Sequence, residues 1–140
     1  MRILGIDYGT VRIGLAISDP DGIIASPLPV YIRTDIRSDV EHIARLVRES
    51  GVERIVIGLP LNMDGTAGEM ADEVAVFADR LRAQLSIPVV TFDERMTSTE
   101  AERVLLQANV SRKKRRGIRD SLAAVLILQS YLDFIRNGER

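Results

Sequence analysis

The chain has 140 residues, of which 46% are hydrophobic, 28% charged and only 4% aromatic, so a single domain spanning residues 1–140 with an aliphatic core is expected. It contains no cysteine, which excludes disulfides, thiol catalysis and cysteine-ligated zinc. No apolar run reaches the roughly 18 residues that span a membrane, and the N-terminal MRILGID lacks a signal-peptide cleavage site. A cytoplasmic protein without a membrane partner is therefore predicted.

Five segments have the composition and spacing of β-strands. The first two are joined by only a few residues, which favours an antiparallel hairpin. The predicted strands are Ile3–Tyr8, Arg12–Ser18, Ile23–Ile32, Arg54–Gly58 and Pro88–Phe92. The third contains Pro27 and Pro29, and because proline cannot donate to a strand ladder, we expect this strand at a sheet edge or interrupted.

Helical periodicity separates the later strands. The predicted helices are Asp35–Ser50, Ala67–Ser86, Thr97–Ala108 and Asp120–Arg136. Thr66 and Glu69 have capping-box spacing at the start of the second helix. The element order predicts an α/β protein with a five-stranded mixed sheet, in which three antiparallel strands are followed by parallel strands, flanked by helices.

Acidic residues stand at the ends of three predicted elements. Asp7 ends the first strand, Asp93 and Glu94 follow the fifth, and Asp120 begins the last helix. Because open α/β sheets bind ligands outside the carboxyl ends of their strands, these carboxylates could converge on a hard cation such as Mg²⁺. Alternation sends Asp93 and Glu94 to opposite faces, and periodicity does not choose between them. Each acid also has a simpler interpretation, as a turn residue, a solvated strand end or a helix N-cap.

Positive charge is concentrated in one segment. The net charge is −1, yet Arg112–Arg119 (RKKRRGIR) carries six positive charges and no negative one, so the rest of the chain is acidic. This segregation predicts a polyanion held locally, and its simpler interpretation is a solvated loop. The loop Gly58–Gly65 follows the fourth strand, and its glycines would permit close approach of a phosphate; an ordinary strand-to-helix loop is the simpler interpretation.

Four motifs follow one another along nearly the whole chain. They are DYGTVRIG at 7–14, GLP at 58–60 with Gly65, DER at 93–95 with TST at 97–99 and Ala101, and DSLAA at 120–124 leading to ILQSYL at 127–132. With these motifs the chain resembles the YqgF family, also called RuvX-like, of Holliday junction resolvases and pre-16S ribosomal RNA nucleases. The resemblance implies a ribonuclease H-like fold, dependence on Mg²⁺ or Mn²⁺, and a catalytic, metal-binding triad of Asp7, Glu94 and Asp120. It thereby selects Glu94 over Asp93.

The leading hypothesis is a divalent-metal-dependent nuclease that hydrolyses phosphodiester bonds in 5′ end processing of pre-16S ribosomal RNA, or alternatively in branched DNA. Asp7 would bridge two metal ions, with Glu94 and Asp120 each completing one side. Cationic and amide side chains are predicted to bind the substrate backbone. These are Arg12, Asn62, Arg95, Arg112, Lys113, Lys114, Arg115 and Arg116.

Two other classes of function compete with the nuclease. The strand–hairpin motif with Asp-x-Gly-Thr also resembles sugar kinases and actin-like ATPases, but those use two such domains and this chain is long enough for one. A non-catalytic ribosome-assembly or nucleic-acid-binding protein would not need the intact acidic triad. The sequence does not choose between RNA and branched DNA as the substrate. It also does not choose between a monomer and a homodimer.

Overall fold

The computed structural model describes residues 1–97 and 121–138. Its strands are β1 Ile3–Tyr8, β2 Arg12–Ser18, β3 Ala25–Ile32, β4 Arg54–Leu59 and β5 Val89–Asp93. Its α-helices are α1 Ile36–Ser50, α2 Glu69–Gln84 and α3 Leu122–Gly138, and a short 3-10 helix covers Glu94–Met96. Of the predicted helix Thr97–Ala108, only Thr97 is among the described residues. It is the C-cap of the 3-10 helix.

The five strands form one sheet in the order β3-β2-β1-β4-β5. β1 pairs antiparallel with β2, and β2 pairs antiparallel with β3, whereas β4 runs parallel to both β1 and β5. This confirms the predicted mixed sheet. The strand that contains Pro27 and Pro29 lies at the sheet edge, as predicted, because an edge strand needs only one set of ladder bonds.

Helices cover both faces of the sheet. Leu4 and Ile6 of β1 pack with residues of α1 and α2, including Ile43 and Phe77, on one face. On the other face α3 crosses the sheet, and Leu128 packs with residues of β1 and β4. Within the described ranges, none of the helices has the length and apolar character needed to cross a membrane.

Two predicted element boundaries are wrong for identifiable local reasons. β3 begins at Ala25 rather than Ile23, because the Asp19 carboxylate accepts hydrogen bonds from the amides of Ile23 and Ile24 and holds them in the preceding turn. The capping box at the start of α2 does not form. Thr66 donates its hydroxyl to Asp64 instead, and the N-cap position falls on Gly68, which has no side chain to cap with.

Candidate functional site

Asp7 lies near the carboxyl end of β1 on the face covered by α3. Its neighbours Ile6 and Tyr8 point to the opposite face, into the core beneath α1 and α2. α3 approaches β1 closely because Gly5 has no side chain: a Cβ there would lie 2.7 Å from Cβ of Leu128. Asp7 is partly shielded from water, and burial raises the pKa of its carboxyl group.

Glu94 reaches the same face from the end of β5. β4 separates β1 from β5, and its Gly58 lies opposite Phe92 in the parallel register. A Cβ on Gly58 would lie 2.7 Å from Oε1 of Glu94 and 2.5 Å from Cδ1 of Ile127 in α3. The Glu94 carboxylate therefore lies over the end of β4, on the α3 face to which Asp7 points. The suggested role of Gly58 in admitting a phosphate is not supported, because protein side chains fill that space.

The two carboxylates interact electrostatically. Burial raises the pKa of Glu94 most, and the negative charges of Asp7 and then Asp93 raise it further. Two half-buried carboxylates, one of which has its pKa raised by the charge of the other, make an oxygen-rich, anionic donor set, which fits a hard divalent cation. Among residues 1–97 and 121–138, no group of three or more His, Asp or Glu side chains is arranged to hold a metal. The third predicted ligand, Asp120, lies outside the described residues.

Asp93 is engaged elsewhere. Its carboxylate accepts hydrogen bonds from the backbone amide of Arg95 at 2.9 Å and from Nη2 of the same arginine at 2.7 Å. These bonds lower the pKa of Asp93 and cap the 3-10 helix. The structure thus separates the adjacent acids, with Asp93 bound to Arg95 and Glu94 over Gly58 on the face of Asp7.

Three of the predicted substrate-binding residues, Arg12, Asn62 and Arg95, lie at this edge of the sheet. Arg12 is exposed at the start of β2, just after the hairpin turn. Arg95 is bound to Asp93, and its Nη1 also lies 3.4 Å from the carbonyl oxygen of Met63 in the β4–α2 loop. Asn62 is exposed in that loop. The remaining predicted contacts lie outside the described residues: Arg112, Lys113, Lys114, Arg115 and Arg116.

The β4–α2 loop is a tight turn rather than an open cradle. Asn62 donates its backbone amide to Thr66 O at 2.9 Å and its side-chain Nδ2 to the hydroxyl of Thr66 at 3.0 Å. Gly65 occupies the left-handed region with φ of 88°, which an L side chain disfavours. The first turn of α2 carries Glu69 and Asp72, whose charges oppose a phosphate at that helix end.

Sequence patterns missed two features of the site. The role of Gly58 depends on side chains from β5 and α3, which meet only in the folded chain. The second feature is the ion pair of Arg33 with Asp39, which lies near the hairpin turn after Asp7. Its one sequence signal is the arginine that directly follows β3.

Gly58→Ala is expected to reduce both stability and activity. The added methyl group would overlap Glu94 and Ile127, and overpacking of this kind costs about 1–3 kcal/mol in free energy of unfolding. Displacement of Glu94 should also reduce the cleavage that the nuclease hypothesis predicts. Gly138→Ala is the matched control, because a Cβ built there meets no described atom within 4 Å apart from its own helix backbone and chain neighbours. Urea unfolding and a cleavage assay measure the two effects. Equal behaviour of the two variants would contradict the packing described at Gly58.

This sheet order, with carboxylates at the carboxyl edge of its first and last parallel strands, defines a ribonuclease H-like fold. The structure superimposes on Thermus thermophilus RuvC in complex with a Holliday junction substrate with a TM-score of 0.72 at 14% identity, covering 99% of this chain and 96% of that one. Residues 1–134 match the family model RuvX, described as Holliday junction resolvase.

Close relatives agree with this assignment. A protein of Syntrophus aciditrophicus (strain SB), provisionally named a pre-16S rRNA nuclease, is 54% identical over 135 residues, which is 96% of this chain and 90% of that protein. A protein of Desulforudis audaxviator (strain MP104C) with the same name is 44% identical, over 99% of this chain and 98% of its own length. The chain belongs to the RuvX family of nucleases, which confirms the resemblance drawn from its motifs.

Proposed function

We propose that this chain is a divalent-metal-dependent nuclease that trims the 5′ end of pre-16S ribosomal RNA in the cytoplasm, acting as a single domain of residues 1–140. The observation that carries the proposal is the placement of Asp7 and Glu94 on one face of the sheet edge, where the charge of Asp7 raises the pKa of Glu94. The names of its relatives favour the ribosomal RNA precursor as substrate.

Asp7, Glu94 and Asp120 are the residues that would hold Mg²⁺ or Mn²⁺ in this proposal. The raised pKa values of Asp7 and Glu94 support it, because a cation would offset the cost of ionising two half-buried carboxylates. Bound there, the ions would supply Lewis-acid stabilisation to the phosphodiester undergoing hydrolysis. The carboxylates would hold the ions in place, and Ile127 of α3 packs over Gly58 beside Glu94.

The substrate backbone would lie along the rim of this edge. Arg12, Asn62 and Arg95 are proposed to contact it, and the positively charged run at 112–116 would add phosphate contacts. Arg95 would contact the substrate through Nη1, because its Nε and Nη2 are bound to Asp93. Aromatic residues make up only 4% of the chain, which favours recognition of backbone shape over base stacking.

Resolution of branched DNA is the second candidate. The description of the family as a Holliday junction resolvase and the fold shared with the RuvC complex favour it. Symmetric cleavage of a four-way junction would require a homodimer, whereas trimming of an RNA end would proceed with a monomer.

A direct comparison of substrates tests the proposal. Purified protein with Mn²⁺ would be incubated with a ribosomal RNA precursor and, separately, with a four-way DNA junction at equal concentration. We expect cleavage of the precursor at higher kcat/KM. Preferential cleavage of the junction would support the second candidate, and cleavage of neither substrate would favour a non-catalytic role in ribosome assembly.

The basic run provides an independent prediction. Replacement of all five residues from Arg112 to Arg116 by Ala should weaken nucleic-acid binding while the carboxylates still bind Mn²⁺. Each lost phosphate contact should flatten the plot of log affinity against log salt by roughly 0.7–0.9 units. Replacement of Arg45 and Arg48, both exposed on α1, is the control, because α1 packs on the opposite face of the sheet. Unchanged affinity and salt dependence in the five-residue variant would show that the run does not bind substrate.

A further inference from the structure

The side chain of Arg33 connects the β1–β2 turn to helix α1. Its Nε donates to Oδ2 of Asp39 at 2.9 Å, and its Nη1 donates to the carbonyl oxygen of Gly9 at 3.1 Å and lies 3.4 Å from that of Thr10. The guanidinium also lies over the ring of Tyr8, 4.6 Å from its centroid. One side chain thus contacts the last residue of β1, the turn after it and an acid of α1.

The acid that holds Arg33 is fully buried. The side chain of Asp39 is 0% exposed, and its Oδ1 accepts a hydrogen bond from the amide of Thr34 at 3.1 Å. A buried carboxylate is costly unless it is paired. Such a pair is nevertheless weak evidence for a role in stability, because apolar residues of similar volume often replace it without loss. An apolar pair could not replace the hydrogen bonds that Arg33 makes with the turn.

Two backbone hydrogen bonds hold the turn in the described part of the chain. The Gly9 amide donates to the Arg12 carbonyl at 3.0 Å, and the Arg33 amide donates to the Val11 carbonyl at 2.9 Å. Thr10 and Val11 are exposed, so burial of their side chains contributes little to the position of the turn. Arg33 therefore holds the turn with its main chain and its side chain together.

The turn joins two residues of the proposed active site, since Asp7 precedes it and Arg12 follows it. Tyr8, beneath the Arg33 guanidinium, faces the α1–α2 core, whereas Asp7 faces α3. Arg33 thus acts from the opposite face of the sheet. We propose that Arg33, held by Asp39, is a positioning residue that fixes the β1–β2 turn and thereby aligns Asp7 and Arg12 with the phosphodiester. This inference rests on the nuclease function proposed above.

Two variants separate positioning from simple stabilisation. Arg33→Lys keeps a positive charge opposite Asp39 but cannot present a rigid fork of donors to both the acid and the turn. The double variant Arg33→Met with Asp39→Leu removes both charges of the pair, of which only Asp39 is fully buried, at similar volume. We expect both proteins to keep a urea midpoint near that of the parent chain while kcat falls by roughly tenfold to a hundredfold, because a small misplacement of catalytic groups is costly.

Hydrogen exchange gives a readout that does not depend on activity. The amides of Gly9 and Arg33, which bracket the turn, should exchange about tenfold faster in both variants. Arg82→Lys is the matched control. Arg82 also links an acid to a backbone carbonyl, through Asp79 and Val89, but it does so at the start of β5, away from the site. Its replacement should leave kcat and the exchange of the turn amides unchanged.

Each outcome decides the proposal. Reduced kcat with faster turn exchange and retained stability supports it. Normal kcat in a folded Arg33→Lys protein, or a loss of kcat that only follows a loss of stability, overturns it. If the double variant does not fold, Arg33→Lys alone gives the answer. If the parent chain cleaves neither substrate, the nuclease function fails, and unchanged exchange in the variants would separately show that Arg33 does not order the turn.

Discussion

Replacement of Asp7 by Asn should lower metal-dependent cleavage by about a hundredfold or more while the protein stays folded. Metal-ion catalysis supplies several kcal/mol of transition-state stabilisation, and each loss of about 1.4 kcal/mol lowers a rate roughly tenfold. Asn keeps the size of Asp and one carbonyl oxygen but loses the negative charge that a cation requires. The measurement is kcat/KM in Mg²⁺ and in Mn²⁺.

The same variant should be at least as stable as the parent chain without metal at neutral pH. Burial raises the pKa of Asp7 in the folded state above its usual value. The folded protein therefore binds this proton more tightly than the unfolded chain, so the Asp7 contribution to stability falls as pH rises through the folded-state pKa. The Asn variant lacks that decline. Added Mn²⁺ should stabilise the parent chain more than the variant, because a ligand that binds only the folded state stabilises it by an amount that grows with the logarithm of its concentration divided by Kd.

Asp79→Asn is the control for Asp7, because Asp79 forms an exposed ion pair on α2 and such pairs contribute little. It should retain both activity and the stabilisation by Mn²⁺. Full cleavage by the Asp7→Asn protein in both metals would contradict a metal centre at the end of β1. A destabilised Asn variant without metal would instead show that Asp7 has a structural partner.

Glu94→Gln is expected to reduce cleavage by about a hundredfold, whereas Asp93→Asn should stay within a few fold of the parent chain. The Glu94 carboxylate lies over Gly58 on the face of Asp7, and Asp93 is bound to Arg95. Asn at position 93 can still accept the hydrogen bond from the Arg95 amide, so the 3-10 turn should persist. Each variant is the matched control for the other, because both replace one carboxylate by its amide at neighbouring positions in the chain.

Titration tests the contact between the two site carboxylates without any substrate. The charge of Asp7 is one of the causes that raise the pKa of Glu94, so Asp7→Asn should lower that pKa. The shift is measurable by NMR on the Glu94 side chain. An inactive Asp93→Asn protein beside an active Glu94→Gln protein would reverse the assignment of the two acids. An unchanged Glu94 pKa in the Asp7 variant would show that the carboxylates lie too far apart to share a cation.

Local patterns predicted most of the fold, because its elements depend on short-range rules. β1 and β2 have the predicted bounds, because the first is a short apolar run, the second alternates, and the link between them is short enough to favour a hairpin. The edge position of β3 follows from its prolines. The predicted start of α2 is wrong because the Thr66 hydroxyl bonds to the nearby Asp64 and does not cap an amide of the helix.

The sequence by itself determined the class of protein and its candidate acids, because the motifs that carry Asp7, Glu94 and Asp120 are contiguous strings. Strand alternation alone left the choice between Asp93 and Glu94 open, and the family resemblance favoured Glu94; the tertiary structure gave the physical reason, since Glu94 lies over Gly58 on the face that α3 covers while Asp93 is bound to Arg95. It also revealed Gly58 as the space for Glu94, and Arg33 with Asp39 as the support of the turn. These contacts join separate strands and helices, and neither alternation nor helical periodicity reports on side chains that meet only after the sheet has formed.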